Sequence, residues 1–331
     1  MQKILVIQTA FIGDVVLATA VVEKIHQYLP SAQIDFMVRK GNESLLNNNP
    51  HITEIIIWNK KESKLRNLFR LLSSIRAKKY DKVINLQRFA ATGILTGFSQ
   101  ARERIGFDKN PFSFMFTKKI IHEIKPGVHE VDRNISLIGH FTDNKRVQPK
   151  LYPSQEDFIK VQVYKKDHYI TITPSSVWFT KQYPVPKWID FIEALPPGYI
   201  VYLLGGKDNL KDCNQITERS KNKNIIILAG ELSFLQSAAL MKDAVMNYVN
   251  DSAPLHFASA VNAPVTAVFC STIPEFGFTP LSDTSIVIQT KLQLACKPCG
   301  LHGRKECPLG HFKCAYTIET QQLLATLNTP K

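Results

Sequence analysis

Short apolar runs alternate with helix-length amphipathic stretches along most of this chain. In the first half Ile4–Ile7 reads as a strand, Val15–Leu29 as a helix closed by Pro30, and Gln33–Val38 as a second strand. Ile52–Trp58 follows the polar turn Asn47-Asn-Asn-Pro50, and Lys82–Leu86 is entered through Tyr80-Asp81. A second series begins with His168–Thr173 and continues through Tyr199–Leu204, Ile225–Leu228, Val245–Val249 and Val265–Phe269. Leu235–Lys242 and Pro254–Val261 are helices between those strands. Strands separated by helical patterns predict parallel βαβ units. Between the two series, around residues 141–166, the chain turns polar and carries Pro149 and Pro153. The expected architecture is α/β, with two doubly wound parallel-sheet domains over residues 1–163 and 164–331 and a cleft between them. No repeat of about 20–50 residues interrupts this pattern.

Residues 60–79 carry a helical stripe of Leu65, Leu68, Phe69, Leu72 and Ile75. Lys61, Lys64, Arg66, Arg70, Arg76, Lys78 and Lys79 make the rest strongly basic. Such a helix can lie on an anionic membrane, or pack its stripe on a sheet and leave its charges solvated.

The 331 residues bear 41 Lys+Arg against 28 Asp+Glu, a net charge of +13. Residues 1–160 hold 25 basic and 15 acidic side chains (+10), and residues 161–331 hold 16 and 13 (+3). The excess in the first half points to an anionic partner there: nucleic acid, lipid headgroups or a phosphorylated glycan. No aromatic-basic nucleic-acid motif is present, so nucleic acid is not expected. No run of about 18 apolar residues exists, so no spanning helix is expected. The N-terminus imitates a secretory signal, with Lys3, an apolar stretch and Ala18-Thr-Ala20. Gln8 and Asp14 interrupt that stretch, which is read as the first strand and helix of a cytoplasmic protein.

The chemistry concentrates at strand ends. After the first strand, Gln8-Thr-Ala-Phe-Ile-Gly-Asp14 forms a strand–loop–helix turn. Ligands of open α/β sheets bind outside the carboxyl ends of strands, so Asp14 is a candidate general base beside Gly13. An early-helix acid serving the helix dipole is the plainer alternative. In the second half Pro174-Ser-Ser176 leads to Lys181, and Gly205-Gly-Lys-Asp208 ends the next strand. Asn250-Asp-Ser-Ala-Pro-Leu-His256 opens a helix, where free N–H groups at Ser252, Ala253 and Leu255 are expected to form an anion site. Candidate ligand-binding residues are therefore Gly13, Ser175, Ser176, Asp208, Asp251, Ser252, Ala253 and His256, with Lys181 a candidate phosphate ligand.

Six cysteines are present. Cys213 and Cys270 read as buried apolar groups. Cys296, Cys299, Cys307 and Cys314, with His302 and His311 nearby, are spaced for a structural zinc site, two disulfides or reduced thiols.

These residues resemble glycosyltransferase family 9, the ADP-heptose:lipopolysaccharide heptosyltransferases, over nearly the full chain. Ile12-Gly13-Asp14-Val15-Val16 is similar to that family's opening motif, and Asn250–Ala258 with Pro264 to its donor signature. Lys181 with Trp188, and the Cys296–Cys314 tail, are similar to further family elements. Tyr183, Ser175 and Ala253 depart from the family pattern. The resemblance implies a GT-B fold of two Rossmann-like domains, the first for the acceptor and the second for the nucleotide-sugar. It implies an inverting, metal-free transfer of a sugar, heptose from ADP-heptose, onto a phosphorylated lipopolysaccharide-core glycolipid. The protein is then expected to be peripheral at the inner membrane. No Asp-x-Asp sequence occurs, in keeping with a metal-free route. Two rivals remain at this point. A nicotinamide dehydrogenase would need a Gly-x-Gly-x-x-Gly turn, and the opening loop has only Gly13. A non-enzymatic binder of anionic membrane or glycan would bind in a steeply salt-dependent way.

Overall fold

A computed structural model describes residues 1–60, 64–165 and 168–328. The chain divides into two compact units between Tyr152 and Pro153. That point precedes the boundary expected at 163. Lys150 N donates to Thr19 Oγ1 (2.9 Å) and Tyr152 Oη to Glu23 Oε1 (2.8 Å), which ties the segment before the division to the first helix. Beyond it, Ser154 caps the helix Gln155–Val161, which packs within the second unit.

The first unit contains strands β1 (Lys3–Ile7), β2 (Gln33–Arg39), β3 (Glu54–Trp58), β4 (Lys82–Asn85), β5 (Glu103–Phe107) and β6 (Lys118–Ile120). All pair in parallel, in the order β3-β2-β1-β4-β5-β6. Its helices are α1 (Ile12–Tyr28), α2 (Lys64–Lys78), α3 (Ala90–Gly97) and α4 (Glu130–Ser136). Helix α1 begins before the expected Val15, and every residue from Val15 to Ile25 is buried. Side chains apolar nearly all round suit a helix enclosed by its sheet and by α4.

Helix α2 settles the stripe read in the sequence. Leu68, Leu72 and Ile75 are buried against Leu5, Ile56 and Trp58, whereas Phe69 is 66% exposed and does not join them. Lys78 Nζ pairs with Asp35 (2.8 Å) and also with Glu54, so part of the basic face serves the fold. Lys61, and the side chains of Lys64 and Leu65, lie outside what the structure describes.

The second unit repeats the design. Strands β7 (Tyr169–Thr173), β8 (Ile200–Leu203), β9 (Ile225–Ile227), β10 (Asn247–Asn250), β11 (Val265–Phe269) and β12 (Ser285–Gln289) form a parallel sheet ordered β12-β11-β10-β7-β8-β9. Helices α5 (Gln155–Val161), α6 (Val185–Glu193), α7 (Leu210–Arg219), α8 (Phe234–Asp243) and α9 (Ala253–Ala260) surround it, and α10 (Lys313–Tyr316) and α11 (Thr320–Leu324) close the tail. Trp188 and Phe191 of α6 pack with Tyr183 and Tyr248 in the core beneath that tail.

In each sheet the strand order reverses once, between β1 and β4 and between β7 and β10. Loops diverge at such a reversal and leave a crevice at the strand carboxyl ends. Asp14 follows β1, Pro174–Ser176 follow β7, and Asp251 follows β10. Both reversals therefore carry residues singled out by the sequence. Among the described residues no helix is long and apolar enough to cross a membrane.

Candidate active site

The first crevice is built on a polar brace. Gln8 N continues the ladder to Met37 O (3.0 Å), and Gln8 Oε1 accepts from Ala10 N (3.2 Å) and from the Gln87 side chain. Lys60 Nζ donates to Thr9 O and Thr9 Oγ1, both at 2.9 Å. The loop is thus fixed on both sides before α1 begins. Asp14 stands in the first turn of α1, half-buried, and accepts from Phe11 N at 3.1 Å. That bond performs the early-helix role of an acid and pins one carboxylate oxygen.

Helix α4 packs against α1, and its Glu130 feels the charge of Asp14. His129 caps α4, its Nδ1 accepting from Val131 N at 3.1 Å. Arg133 donates to Glu130 Oε2 through Nε (2.8 Å) and to Val128 O through Nη1 (2.7 Å). Burial pushes the Glu130 carboxyl up and the nearby Asp14 charge adds to the rise, while Arg133 opposes it. Sequence reading missed this group. The visible signal was a run of charged residues, His129-Glu-Val-Asp-Arg133, set on a helix beside apolar Val131 and Ile135.

In the second unit the central relationship is an ion pair. Lys181 Nζ lies 2.7 Å from Asp251 Oδ2, with both side chains largely buried. Thr272 Oγ1 donates to the same Asp251 oxygen at 2.6 Å. The loops that hold this pair are tied by Asn250, which is fully buried. Its Oδ1 accepts from Tyr183 N (2.8 Å) and its Nδ2 donates to Pro174 O (2.7 Å). One amide thus fastens the β7 loop, the segment after Lys181 and the end of β10.

Other expected ligands fall around this knot. Ser175 is buried and its hydroxyl donates to Asp212 Oδ2 of α7 at 2.9 Å, which ties that side chain to a helix. Ser176 is half-buried, and its carbonyl accepts from Gln182 Nε2. Asp208 lies in the turn after β8, and its carboxylate sits where a Gly206 side chain would stand. Ser252 is the extended N-cap of α9, followed by Ala253, and His256 is buried in the helix. The expected free N–H of Leu255 is a correction. It donates to Ser252 O at 3.1 Å, because the first turn tightens on itself.

The cysteine-rich tail folds back on this site, which the sequence did not predict. Thr180 N donates to Arg304 O (3.1 Å), Arg304 N to Thr180 Oγ1 (2.7 Å) and Cys299 N to Ser271 O (2.8 Å). Gly303 has φ +76°, and a Cβ there would meet Lys181 Cγ at 2.9 Å and Thr180 Oγ1 at 3.0 Å. The tail needs glycine where it passes the lysine. Cys296, Cys299, Cys307 and Cys314, the residues expected to hold zinc, lie close enough for their thiols to act on one another. All four are free thiols, and no group of three or more ligating side chains among the described residues is disposed to hold a metal. Cys299 Sγ instead faces Cys296 O (3.4 Å), and Cys307 Sγ accepts from Phe312 N (3.4 Å). Those two thiols close turns of their own loops.

Comparison with known proteins places these features together. Residues 68–311 match the model of glycosyltransferase family 9 (heptosyltransferase). The lipopolysaccharide heptosyltransferase 3 of Escherichia coli K12 is 31% identical over 279 residues, covering 78% of this chain and 80% of that protein. Two solved structures share the fold at 22% identity. One is the E. coli ADP-heptose lipopolysaccharide heptosyltransferase II (TM-score 0.81, 99% of this chain and 98% of that one). The other is a family 9 glycosyltransferase of Veillonella parvula (TM-score 0.86, 98% and 96%). The two Rossmann-like sheets are thus a GT-B type fold, and the chain belongs to glycosyltransferase family 9, the heptosyltransferase family.

Proposed function

We propose that this glycosyltransferase moves heptose from ADP-heptose onto the core of lipopolysaccharide, with inversion at the sugar's anomeric carbon. The first unit takes the acceptor and the second takes the nucleotide-sugar. The Lys181–Asp251 pair supports this reading most: a buried cation stands beside the N-terminus of α9, where a diphosphate finds charge and backbone N–H groups. The names of the related E. coli proteins supply the sugar, the nucleotide and the acceptor class.

In this mechanism Asp14 is the general base. Its carboxylate takes the proton of the acceptor hydroxyl as that oxygen bonds to the anomeric carbon. The bond from that carbon to the β-phosphate oxygen breaks, and ADP leaves from the opposite face. Lys181 and the Ser252 and Ala253 backbone meet the charge that grows on the diphosphate. Ser176 and Asp208 border the donor, His256 lies behind it, and Gly13 lets the acceptor approach Asp14. Asp251 holds the lysine, and Ser175 fixes its loop through Asp212. No cofactor takes part, and the cysteine tail walls the donor side.

Localisation follows from the same reading: cytoplasmic, and peripheral at a membrane whose lipids carry the acceptor. Helix α2 turns Leu68, Leu72 and Ile75 to the core but leaves Phe69 exposed between Arg66 and Arg70, a first candidate for membrane contact. Phe89 and Phe114, 65% and 74% exposed, are further candidates, Phe89 beside exposed Arg88 and Phe114 close in the chain to exposed Lys118 and Lys119. An apolar side chain among cations suits an anionic headgroup layer. The test of function is incubation of the purified protein with ADP-heptose and a deacylated core glycolipid lacking that heptose, read by mass spectrometry. A single added heptose is expected. Release of free heptose without transfer, or no reaction, overturns the proposal.

A further inference from the structure

One buried amide joins two strongly exposed phenylalanines of the first unit. Phe89 precedes α3 beyond the carboxyl end of β4, and Phe114 lies in the segment that leads from β5 to β6. Asn110, 2% exposed, ties the two places together. Its Nδ2 donates to Gln87 O and to Phe89 O, both at 3.1 Å, and its Oδ1 accepts from Phe112 N at 2.9 Å. The rings of Phe112 and Phe114 are 6.0 Å apart. Phe89, Phe112 and Phe114 thus belong to one patch, and Phe112 is half-buried within it.

The patch has a fixed mount. The β5–β6 segment packs on α3, where glycines make room for it. A Cβ on Gly93 would meet Asn110 Oδ1 at 2.1 Å and Phe112 Cβ at 3.0 Å, and one on Gly97 would meet Met115 at 3.0 Å. Phe116 is buried and covers Gly106 of β5. The same short segment therefore spends Phe116 on the core and leaves Phe114 in solvent. Exposed apolar groups gathered in one place and rimmed by charge mark an interaction surface.

Charge selects the partner. Residues 86–119 hold six basic and two acidic side chains. Both acids are engaged within the fold: Glu103 pairs with Lys82 and His140, and Asp108 Oδ1 accepts from His122 N at 2.8 Å. Arg88 precedes Phe89, Lys109 precedes Asn110, and both are exposed. Rings among cations match an anionic lipid surface, which offers phosphate at its headgroups and hydrocarbon beneath.

We propose that the loops carrying Phe89 and Phe114 are the lipid-docking element of this protein, the two rings entering an anionic bilayer while Arg88 and Lys109 meet its headgroup phosphates. This deepens the reading of the protein as peripheral at a membrane and rests on it. Gln87, whose carbonyl Asn110 holds, also donates through Nε2 to Gln8 Oε1, in the loop that leads to Asp14. The docking loops and the loop of the candidate base share one polar framework.

The test is co-sedimentation of wild type, Phe89→Ser/Phe114→Ser and Phe69→Ser with vesicles of phosphatidylethanolamine and phosphatidylglycerol, and with vesicles of phosphatidylcholine alone. Wild type is expected to bind the anionic vesicles, more weakly at high salt, and the neutral ones poorly. The double variant is expected to bind the anionic vesicles about tenfold more weakly or worse, since two rings no longer leave water. Its melting temperature is expected to match wild type, because both rings lie in solvent. Phe69→Ser is expected to bind as wild type does. Equal binding by the double variant and wild type overturns the inference and leaves the peripheral reading standing, whereas absence of binding by wild type overturns both. Loss of binding in Phe69→Ser moves the contact to α2 and overturns the inference. Heptose transfer to deacylated core is expected to be equal in wild type and the double variant. A fall there would make the rings a sugar platform, which overturns the lipid assignment. Vesicle binding needs no transfer, so that result is independent of the assigned reaction.

Discussion

Lys181 and Asp251 form an ion pair at 2.7 Å, although 70 positions of chain separate them and each comes from a different strand-end loop. The pair orders the lysine before any ligand arrives, at the reversal of the second sheet. Lys181→Met is expected to lower kcat by about 10²–10³-fold, the range seen when one preorganised charge-stabilising donor is lost. Asp251→Asn keeps the lysine but frees it, and is expected to lower kcat by about tenfold. Steady-state kinetics with ADP-heptose, alongside ADP binding by calorimetry, checks both. Equal loss of folding stability with unchanged ADP affinity in Lys181→Met would show that the pair serves only the fold.

Gly303 tests the contact between the cysteine tail and the lysine. Gly303→Ala places a Cβ 2.9 Å from Lys181 Cγ and also takes a left-handed backbone. Gly310→Ala has the same backbone sign, φ +67°, and nothing within 4 Å. Both are expected to lose about 1 kcal/mol of stability from backbone conformation. Only Gly303→Ala is expected to raise KM for the donor, severalfold, because it alone displaces the lysine stem. Denaturation midpoints and donor titration in parallel separate the two effects.

The thiols divide by burial. Cys213 is fully buried, and its thiol is pushed up to about 12, first by burial and then by Asp212. Cys270 is likewise buried and its thiol raised well above the ordinary value by burial. Neither is a thiolate at neutral pH, and thiolate is the reactive form. Cys314 is pushed up to about 11 by burial and neighbouring thiols. Iodoacetamide at pH 8 is expected to label Cys296, Cys299 and Cys307, which are partly exposed, well before those three. Peptide mapping by mass spectrometry reads the order, and early labelling of Cys213 would contradict the packing described.

His122 links acid to the stability of the first unit. Burial, then Arg88 and Arg133, hold its imidazole down to about 4, and its ring lies edge-on to Phe107 at 4.7 Å. The unfolded imidazole takes a proton near pH 6.5, and the folded one does not until about 4. Stability from this group is therefore complete above pH 6.5 and is lost as pH falls toward 4. The expected loss between pH 7 and pH 5 is about 1 kcal/mol, allowing for solvent screening. Urea unfolding of wild type and His122→Gln at both values checks it, and the variant should lack that increment.

Much of this was legible in the sequence, for physical reasons. Central strands are buried on both faces, so β1, β2, β7 and β11 appear as predominantly apolar runs, and their parallel pairing followed from alternation with helices. Three strands were not legible: Glu103–Phe107 and Lys118–Ile120 mix charge with apolar residues, and Ser285–Gln289 is short and polar at both ends, whereas the edge strands Glu54–Trp58 and Ile225–Ile227 kept apolar runs that the sequence shows. For the candidate site, loop residues adjacent to strand ends could be named from the sequence, since position alone marks them. Groups brought from elsewhere in the chain could not: Glu130, which feels the charge of Asp14, stands on a helix packed against α1, and Gly303 on a tail more than 100 residues past Lys181. Among the described side chains of α2, Phe69 fits the helical stripe yet is exposed and does not join the core.

The central claim is that the half-buried carboxylate after β1 removes the acceptor's proton while a separate cradle handles the donor. Heptose transfer from ADP-heptose to deacylated core, measured beside ADP-heptose binding in wild type and Asp14→Asn, tests it most directly. The account predicts turnover reduced by about 10³-fold or more in the variant, with donor affinity within about twofold of wild type. Transfer within severalfold of wild type by Asp14→Asn would contradict it.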